Sequence, residues 1–176
     1  MSEQAAPAPD SARFLDFYGH ALPQVYGYLV HRCGTAALAE ELTAESFLAA
    51  VDTARAGGGA KISVPWIIGV ARHKLVDHWR RQAREQRGVR VLVDDAQGVP
   101  EDDPWDARLD AVRAHQTLES IAPQHRAALT LRYLDDLSVP EVAVELGRTV
   151  HATEALLVRA RASFRRAYEG QEPEDG

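Results

Sequence analysis

Helical periodicity runs through most of this 176-residue chain and fails over one stretch, from Gly88 to Asp106. There Asp94, Asp95, Gly98, Pro100, Glu101, Asp102, Asp103 and Pro104 crowd together, with too little apolar content to fold by themselves. Strand patterning is confined to a brief alternation over Val89 to Val93, which runs into that stretch. The break therefore divides an all-α chain into two small helical domains joined by a flexible acidic linker. The expected layout is a disordered tail over 1–11, a domain over 12–87, the linker over 88–105, a second domain over 106–169 and a disordered tail over 170–176.

In the first domain, Leu15, Tyr18, Leu22, Val25, Tyr26 and Leu29 recur at three- and four-residue steps, which predicts a helix over about 12–33 that Gly34 stops. Leu38, Leu42, Phe47, Leu48 and Val51 predict a second helix over about 36–54, broken by Gly57-Gly58-Gly59. Pro65, followed by Trp66, Ile67, Val70, Leu75 and Trp79, predicts a third to about Arg87. One face of that helix carries Arg72, His73, Lys74, Asp77, Arg80 and Arg81. Cations interleaved with aromatic rings suit a single strand of nucleic acid, since the cations hold the backbone while bases stack. The plainer reading makes Trp66 and Trp79 core anchors.

The second domain holds helical pattern over about 106–120 and from Pro123 to Leu134. Ser138 and Glu141 then form an S-x-x-E capping box at the start of a helix that ends at Gly147. Thr149 is a candidate N-cap for a last helix over Val150 to Tyr168, which bears Arg159, Arg161, Arg165 and Arg166. Ala143, Leu146, Val150, Ala155 and Leu156 are expected to pack these two helices across the Gly147 turn. That is a helix-turn-helix, built to hold one helix against a duplex while a basic edge anchors it to phosphates. The plainer alternative is a solvated basic face on a helical hairpin.

A net charge of −6 looks wrong for a nucleic-acid binder, but its distribution is uneven. Residues 61–90 carry eight basic and two acidic groups, while 91–120 carry two and eight. A binding face responds to local charge, because screening sets in over about 8 Å in physiological salt. The remaining composition bounds the class. No run reaches the roughly 18 apolar residues of a membrane span, and Met1 to Asp10 has neither the basic nor the apolar segment of a signal peptide. One cysteine, Cys33, permits no internal disulfide, which fits the cytoplasm. His31 with Cys33, and His73 with His78, lack metal-ligand spacing, and G-x-S-x-G and phosphate-binding Gly-rich loops are absent. No enzyme activity, metal or cofactor is expected.

Four segments together resemble one family. Ala39-Glu40-Glu41-Leu42-Thr43-Ala44-Glu45-Ser46-Phe47 resembles D-A-E-[DE]-L-x-Q-[ED]-x-F, and Pro65 to Arg81 resembles P-W-L-x-x-I-A-R-N-x-x-x-D-x-x-R-R. Leu118 to Arg126 resembles L-x-x-L-P-x-x-x-R, and Leu137 to Arg161 resembles a region-four helix-turn-helix. These are motifs of regions two and four of bacterial RNA polymerase sigma factors, in the compact extracytoplasmic-function group. The resemblance covers about 12–87 and 106–168. It implies an alternative sigma factor, monomeric when free, that binds RNA polymerase core through the clamp helices and flap and directs it to promoter DNA. It also implies an anti-sigma factor as a further partner.

Residue by residue, the resemblance implies that Glu40, Glu41, Leu42, Thr43, Glu45 and Phe47 dock on polymerase. Arg72, His73, Lys74, Asp77, His78, Trp79, Arg80 and Arg81 would meet the melted minus-ten strand. Arg148, Thr149, His151, Thr153 and Glu154 would lie near base edges of the minus-thirty-five duplex, with Arg159, Arg161 and Arg165 at phosphates. Two departures bear on specificity: Thr153-Glu154-Ala155-Leu156-Leu157 stands where T-V-K-S-R is frequent, and His73 where Asn is. A helix-turn-helix regulator acting without polymerase is the alternative, and it leaves Glu40–Phe47 and Trp66–Arg81 without a role.

Overall fold

The computed structural model describes residues 9–89 and 111–170, all in helices and the turns between them. The helices are α1 (Pro9–Cys33), α2 (Ala36–Thr53), α3 (Val64–Val89), α4 (Ala111–Ser120), α5 (Pro123–Leu129), α6 (Val139–Leu146) and α7 (Val150–Glu169). They divide into two units between Leu75 and Val76. The tail expected over 1–11 is helical from Pro9 onward, and the expected linker contributes residues 88 and 89 to α3. The rest of that linker, 90–105, together with 106–110, 1–8 and 171–176, lies outside the described residues.

In the first unit, α1 and α2 pack as a hairpin about Gly34, whose φ of 76° reverses the chain, and Thr35, whose hydroxyl accepts from Leu38 N–H at 3.3 Å. The stripe of α1 in the core is Ala21, Val25, Leu29 and Cys33, at steps of four. Val25 and Leu29 of the expected stripe are thus buried, whereas Leu15 is 60% exposed and Tyr18 37%. Leu15, Tyr18, Leu22 and Tyr26 form a second apolar row beside the buried one, and small residues such as Ala21 allow the closer approach. From α2 the core takes Ala39, Leu42, Thr43, Ser46, Phe47 and Ala50, while Leu48, expected inside, is 63% exposed. Thr43 and Ser46 sit in the core without an unmet donor, since their hydroxyls donate to the carbonyls of Ala39 and Leu42, each at 2.6 Å. Gly57, with φ 85°, ends the π-type turn Ala54–Gly58 that follows α2. Ile67, Ala71 and Leu75 then bury the first half of α3.

The second unit contains the other half of α3. The reason lies in its apolar positions: Val76, Trp79 and Ala83 are buried, and the last two line a cleft with Ala127, Leu146 and Leu156. Arg126 joins α4 to α5, donating from Nε to Leu118 O at 2.8 Å and from Nη2 to Glu119 O. It thereby satisfies carbonyls at the end of α4 that have no helical partner. Burial lowers its pKa, with Glu119 opposing. The single helix expected from Pro123 to Leu134 is α5 followed by a π-type turn over Thr130–Leu134, closed by Asp135 N–H to Thr130 O at 3.0 Å. Arg113 crosses from α4 to α7, its guanidinium 4.1 Å from the centre of the Tyr168 ring and hydrogen-bonded to Tyr168 O.

Candidate nucleic-acid interface

The turn between α6 and α7 is defined by its hydrogen bonds. Ser138 caps α6, its backbone N–H donating to Glu141 Oε2 at 2.8 Å. At the other end Gly147 adopts φ 61°, ψ 41°. Arg148 N–H reaches back to Ala143 O at 2.9 Å and Gly147 N–H to Val144 O at 3.1 Å. That pair of bonds is a Schellman motif, and it turns the chain within two residues. Thr149 then caps α7, its hydroxyl accepting from Ala152 N–H at 3.2 Å. Val142, Ala143 and Leu146 of α6 are buried together with Leu156, Leu157, Ala160 and Phe164 of α7. Val150 (44% exposed) and Ala155, expected in this packing, point outward. They share the solvent side of the first turns of α7 with His151 and Glu154.

That outward side is the one expected to face a duplex. His151 has a side chain 98% exposed and Glu154 one 60% exposed, with His151 Nδ1 and Glu154 Oε2 4.0 Å apart. Thr153 does not belong with them: it is 0% exposed, and its hydroxyl donates to Thr149 O at 2.9 Å. It faces the α6 side because it lies one turn before Leu156 and Leu157. Farther along, Arg161 donates to the Tyr133 hydroxyl at 3.2 Å, and Arg159 and Arg165 are half-buried.

Along α3, the residues expected at a single strand separate by burial. Arg72 and Lys74 are half-buried and His73 exposed in the first unit; Asp77, Arg80 and Arg81 are exposed and His78 half-buried in the second. Trp79 is 1% exposed. The plainer reading of Trp79 therefore holds in this conformation, for its ring is packed in the core and offers no face to a base. Lys74 is also committed, its ammonium donating to Glu45 Oε2 at 3.2 Å. Glu45 was expected at polymerase and Lys74 at DNA, so each of these groups neutralises the other.

Two residues assigned to different tasks meet. Arg80 and Arg148 line one cleft of about 260 Å³, together with Arg84 and Arg87. Partial burial lowers the pKa of Arg148, followed by the charges of Arg87, Arg159 and Arg80. Arg84 and Arg87 were missed in the sequence, although 80, 84 and 87 follow helical spacing on one face. In the first unit, Tyr18, Leu22, Pro23, Tyr26 and Phe47 line an apolar groove of about 430 Å³ with Glu40 at its edge. Of the α2 residues expected at a partner, Glu40 and Glu41 are exposed, whereas Leu42, Thr43 and Phe47 are 1–5% exposed. Among the described residues, no group of three His, Cys, Asp or Glu side chains is placed to hold a metal ion, and no helix is long and apolar enough to cross a membrane.

Two family models match. Sigma-70 region 2 matches residues 17–85, and Sigma-70, region 4 matches residues 111–164. The ECF RNA polymerase sigma factor BldN of Streptomyces coelicolor is 32% identical over 169 residues, covering 89% of this chain and 60% of that protein. The chain thus spans less than two thirds of that relative's length. The ECF RNA polymerase sigma factor SigL of Mycobacterium tuberculosis is 29% identical over 146 residues, covering 81% of each. Among solved structures, the sigma factor RpoE in complex with the anti-sigma factor NepR from Bartonella quintana superposes with a TM-score of 0.54. At 17% identity, covering 91% of this chain and 99% of that one, it shows a shared fold.

Proposed function

The chain belongs to the sigma-70 family of RNA polymerase sigma factors, in the extracytoplasmic-function group; from that premise we propose that it binds RNA polymerase core and directs it to specific promoters. The observation that carries this reading is the presence in one chain of a region 2 segment and a region 4 helix-turn-helix with an exposed basic and polar edge. A repressor acting alone needs only the second.

The first unit is the polymerase-binding part. Its apolar groove beside Glu40 and Glu41 suits a partner helix that brings apolar and basic side chains together. His73, Arg80 and Arg81 serve the unpaired minus-ten strand, with Trp79 as their support from within the core. At the minus-thirty-five duplex, His151 and Glu154 meet base edges. A carboxylate at that place accepts from a cytosine amine, so Glu154 favours a cytosine where a Lys would favour guanine. Arg148, Arg159, Arg161 and Arg165 act on phosphates and set affinity rather than sequence. An anti-sigma factor is a further partner, by likeness to the RpoE complex. The protein acts in the cytoplasm, as a monomer until it meets polymerase, and carries out no chemistry of its own.

The test is capture of purified polymerase core on the full chain, followed by run-off transcription on a pool of genomic promoters. Core binding with transcripts that share upstream elements is expected. Duplex binding without core binding would overturn the proposal in favour of a stand-alone regulator.

A further inference from the structure

The cleft between the second half of α3 and the α6–α7 turn brings Arg84 and Arg87, which the proposed function leaves unused, together with Arg80 and Arg148. It is about 260 Å³ and is lined by Arg80, Arg84, Arg87 and Arg148, with Trp79 and Leu146 among its apolar lining residues. No acidic side chain among the described residues lines it. The one described acidic partner of these four is Asp77, 3.8 Å from Arg80 Nη1, at the outer limit of an ion pair. Arg87 is oriented by Gln124, to whose Oε1 it donates at 2.8 Å.

The geometry narrows the cleft around Arg80. A Cβ on Gly147 would stand 2.7 Å from Arg80 Nη2. The bare glycine therefore lets that guanidinium lie against the backbone of the turn. Like charges gathered in one cleft repel one another; the pKa of Arg148 is lowered first by partial burial and then by the charges of Arg87, Arg159 and Arg80. Guanidinium forks are shaped for phosphate oxygens, which they bind in pairs of parallel hydrogen bonds.

Size selects among anions. Drug-sized ligands fill pockets of roughly 300–1,000 Å³, and this cleft falls short of that. A duplex is read by a convex element lying in its groove, and this site is concave. We propose that the cleft is a binding site for a compact polyphosphate, either free pyrophosphate or the diphosphate end of a nucleotide. The anion bridges α3 to the helix-turn-helix and neutralises the four guanidiniums. Binding itself does not depend on the sigma reading. Its consequence does: Arg80 and Arg148 would be held away from promoter DNA while the site is filled.

The experiment titrates the full chain with inorganic pyrophosphate, and separately with a nucleoside diphosphate, by calorimetry, against sodium sulfate at matched ionic strength. Saturable one-to-one binding of pyrophosphate is expected, weakened tenfold or more in Arg84→Gln and in Arg84→Gln/Arg87→Gln. Arg84→Lys retains part of it. Tighter binding of the nucleoside diphosphate would identify a nucleotide end, and equal binding free pyrophosphate. Each variant's helical circular dichroism separates loss of the site from loss of the fold, and Arg84 has no described partner whose removal would unfold the unit. Non-saturating heats that sulfate reproduces would overturn the proposal. So would binding to a single-stranded oligonucleotide that Arg84→Gln weakens while pyrophosphate does not bind. Pyrophosphate binding that appears only after Asp94, Asp95, Glu101, Asp102 and Asp103 are changed to Asn or Gln would assign the cleft to the chain's own acidic segment, which also overturns it. No arm uses polymerase or promoter, so failure here is distinct from failure of the sigma reading.

Discussion

Replacing Gly147 by alanine isolates the element on which the helix-turn-helix depends. At φ 61°, ψ 41° an L-residue's Cβ crowds the following carbonyl, which costs roughly 1–2 kcal/mol. Two other effects must be weighed. Alanine narrows the unfolded ensemble, worth about 0.4–1 kcal/mol where the native angles suit it, and here they do not. The new Cβ would also approach Arg80 Nη2 to 2.7 Å, but that atom ends a flexible, exposed side chain that can swing aside. Backbone strain therefore dominates, and Gly147→Ala should destabilise the second unit by about 1 kcal/mol, a fall in midpoint of roughly 4–8 °C for a unit of this size. Gly147→Asn should cost less, because Asn tolerates the left-handed region. The assay is urea unfolding of the full chain followed by far-ultraviolet circular dichroism, in the parent and in an Arg80→Ala background. Strain is local to the turn, so the alanine cost should survive removal of Arg80 to within about 0.5 kcal/mol. A neutral or stabilising Gly147→Ala would refute the assignment of the Schellman turn. A cost that vanishes with Arg80 would mean that the close approach, rather than the backbone, sets it.

Arg126→Met should strand the carbonyls of Leu118 and Glu119 and lower stability by about 1–3 kcal/mol, with Arg126→Lys recovering only part; a thermal midpoint unchanged in Arg126→Met would refute the capping role. Thr153→Val and Glu154→Gln should separate cleanly, since one hydroxyl is buried and the other group exposed. The first should cost about 0.5–1.5 kcal/mol and leave minus-thirty-five preference intact. The second should change base preference in a randomised-promoter selection without changing stability, and the reverse pattern would refute the placement. Cys33 is buried and its thiol pushed up from 9.0 to about 11 by desolvation, with Arg32 opposing. Its folded pKa is raised, so its contribution is complete below pH 9 and is lost as pH rises toward 11. The parent should lose stability over that window relative to Cys33→Ala, and iodoacetamide should label Cys33 only on unfolding; equal pH profiles, or rapid native labelling, would count against it.

The helices were legible because their punctuation is local. Gly34, Gly147, Ser138 with Glu141, and Thr149 act through bonds that span three to five residues, and each stands where its chemistry requires. What sequence spacing left undetermined was which of two adjacent apolar rows faces the core. The expected stripe took positions from both rows, since Leu15 and Tyr18 fit the helical period as well as the buried Val25 and Leu29 do, and it left out Ala21. The choice falls to the partner helix, and the small side chain of Ala21 admits it closely. The π-type turn over Thr130–Leu134 was also hidden, because the extra residue it takes up leaves the apolar pattern unbroken.

The candidate site was legible as a set of charges and illegible as a set of faces. A basic helix announces itself by composition, yet composition does not tell an outward residue from its neighbour. Thr153 and Glu154 are adjacent in sequence, and 100° of helical rotation puts one in the core and the other in solvent. The same geometry acts on α3. Trp79 follows Val76 by three residues and precedes Ala83 by four, so it lies on the buried stripe, while Arg80 and Arg84 turn toward the cleft. An aromatic ring beside two arginines thus resembles a base-stacking platform in the sequence, but the helical phase makes it the anchor that holds those arginines in place. Contacts such as Arg80 against Gly147, 67 residues apart, had no signal in the spacing, because only the folded second unit brings them together.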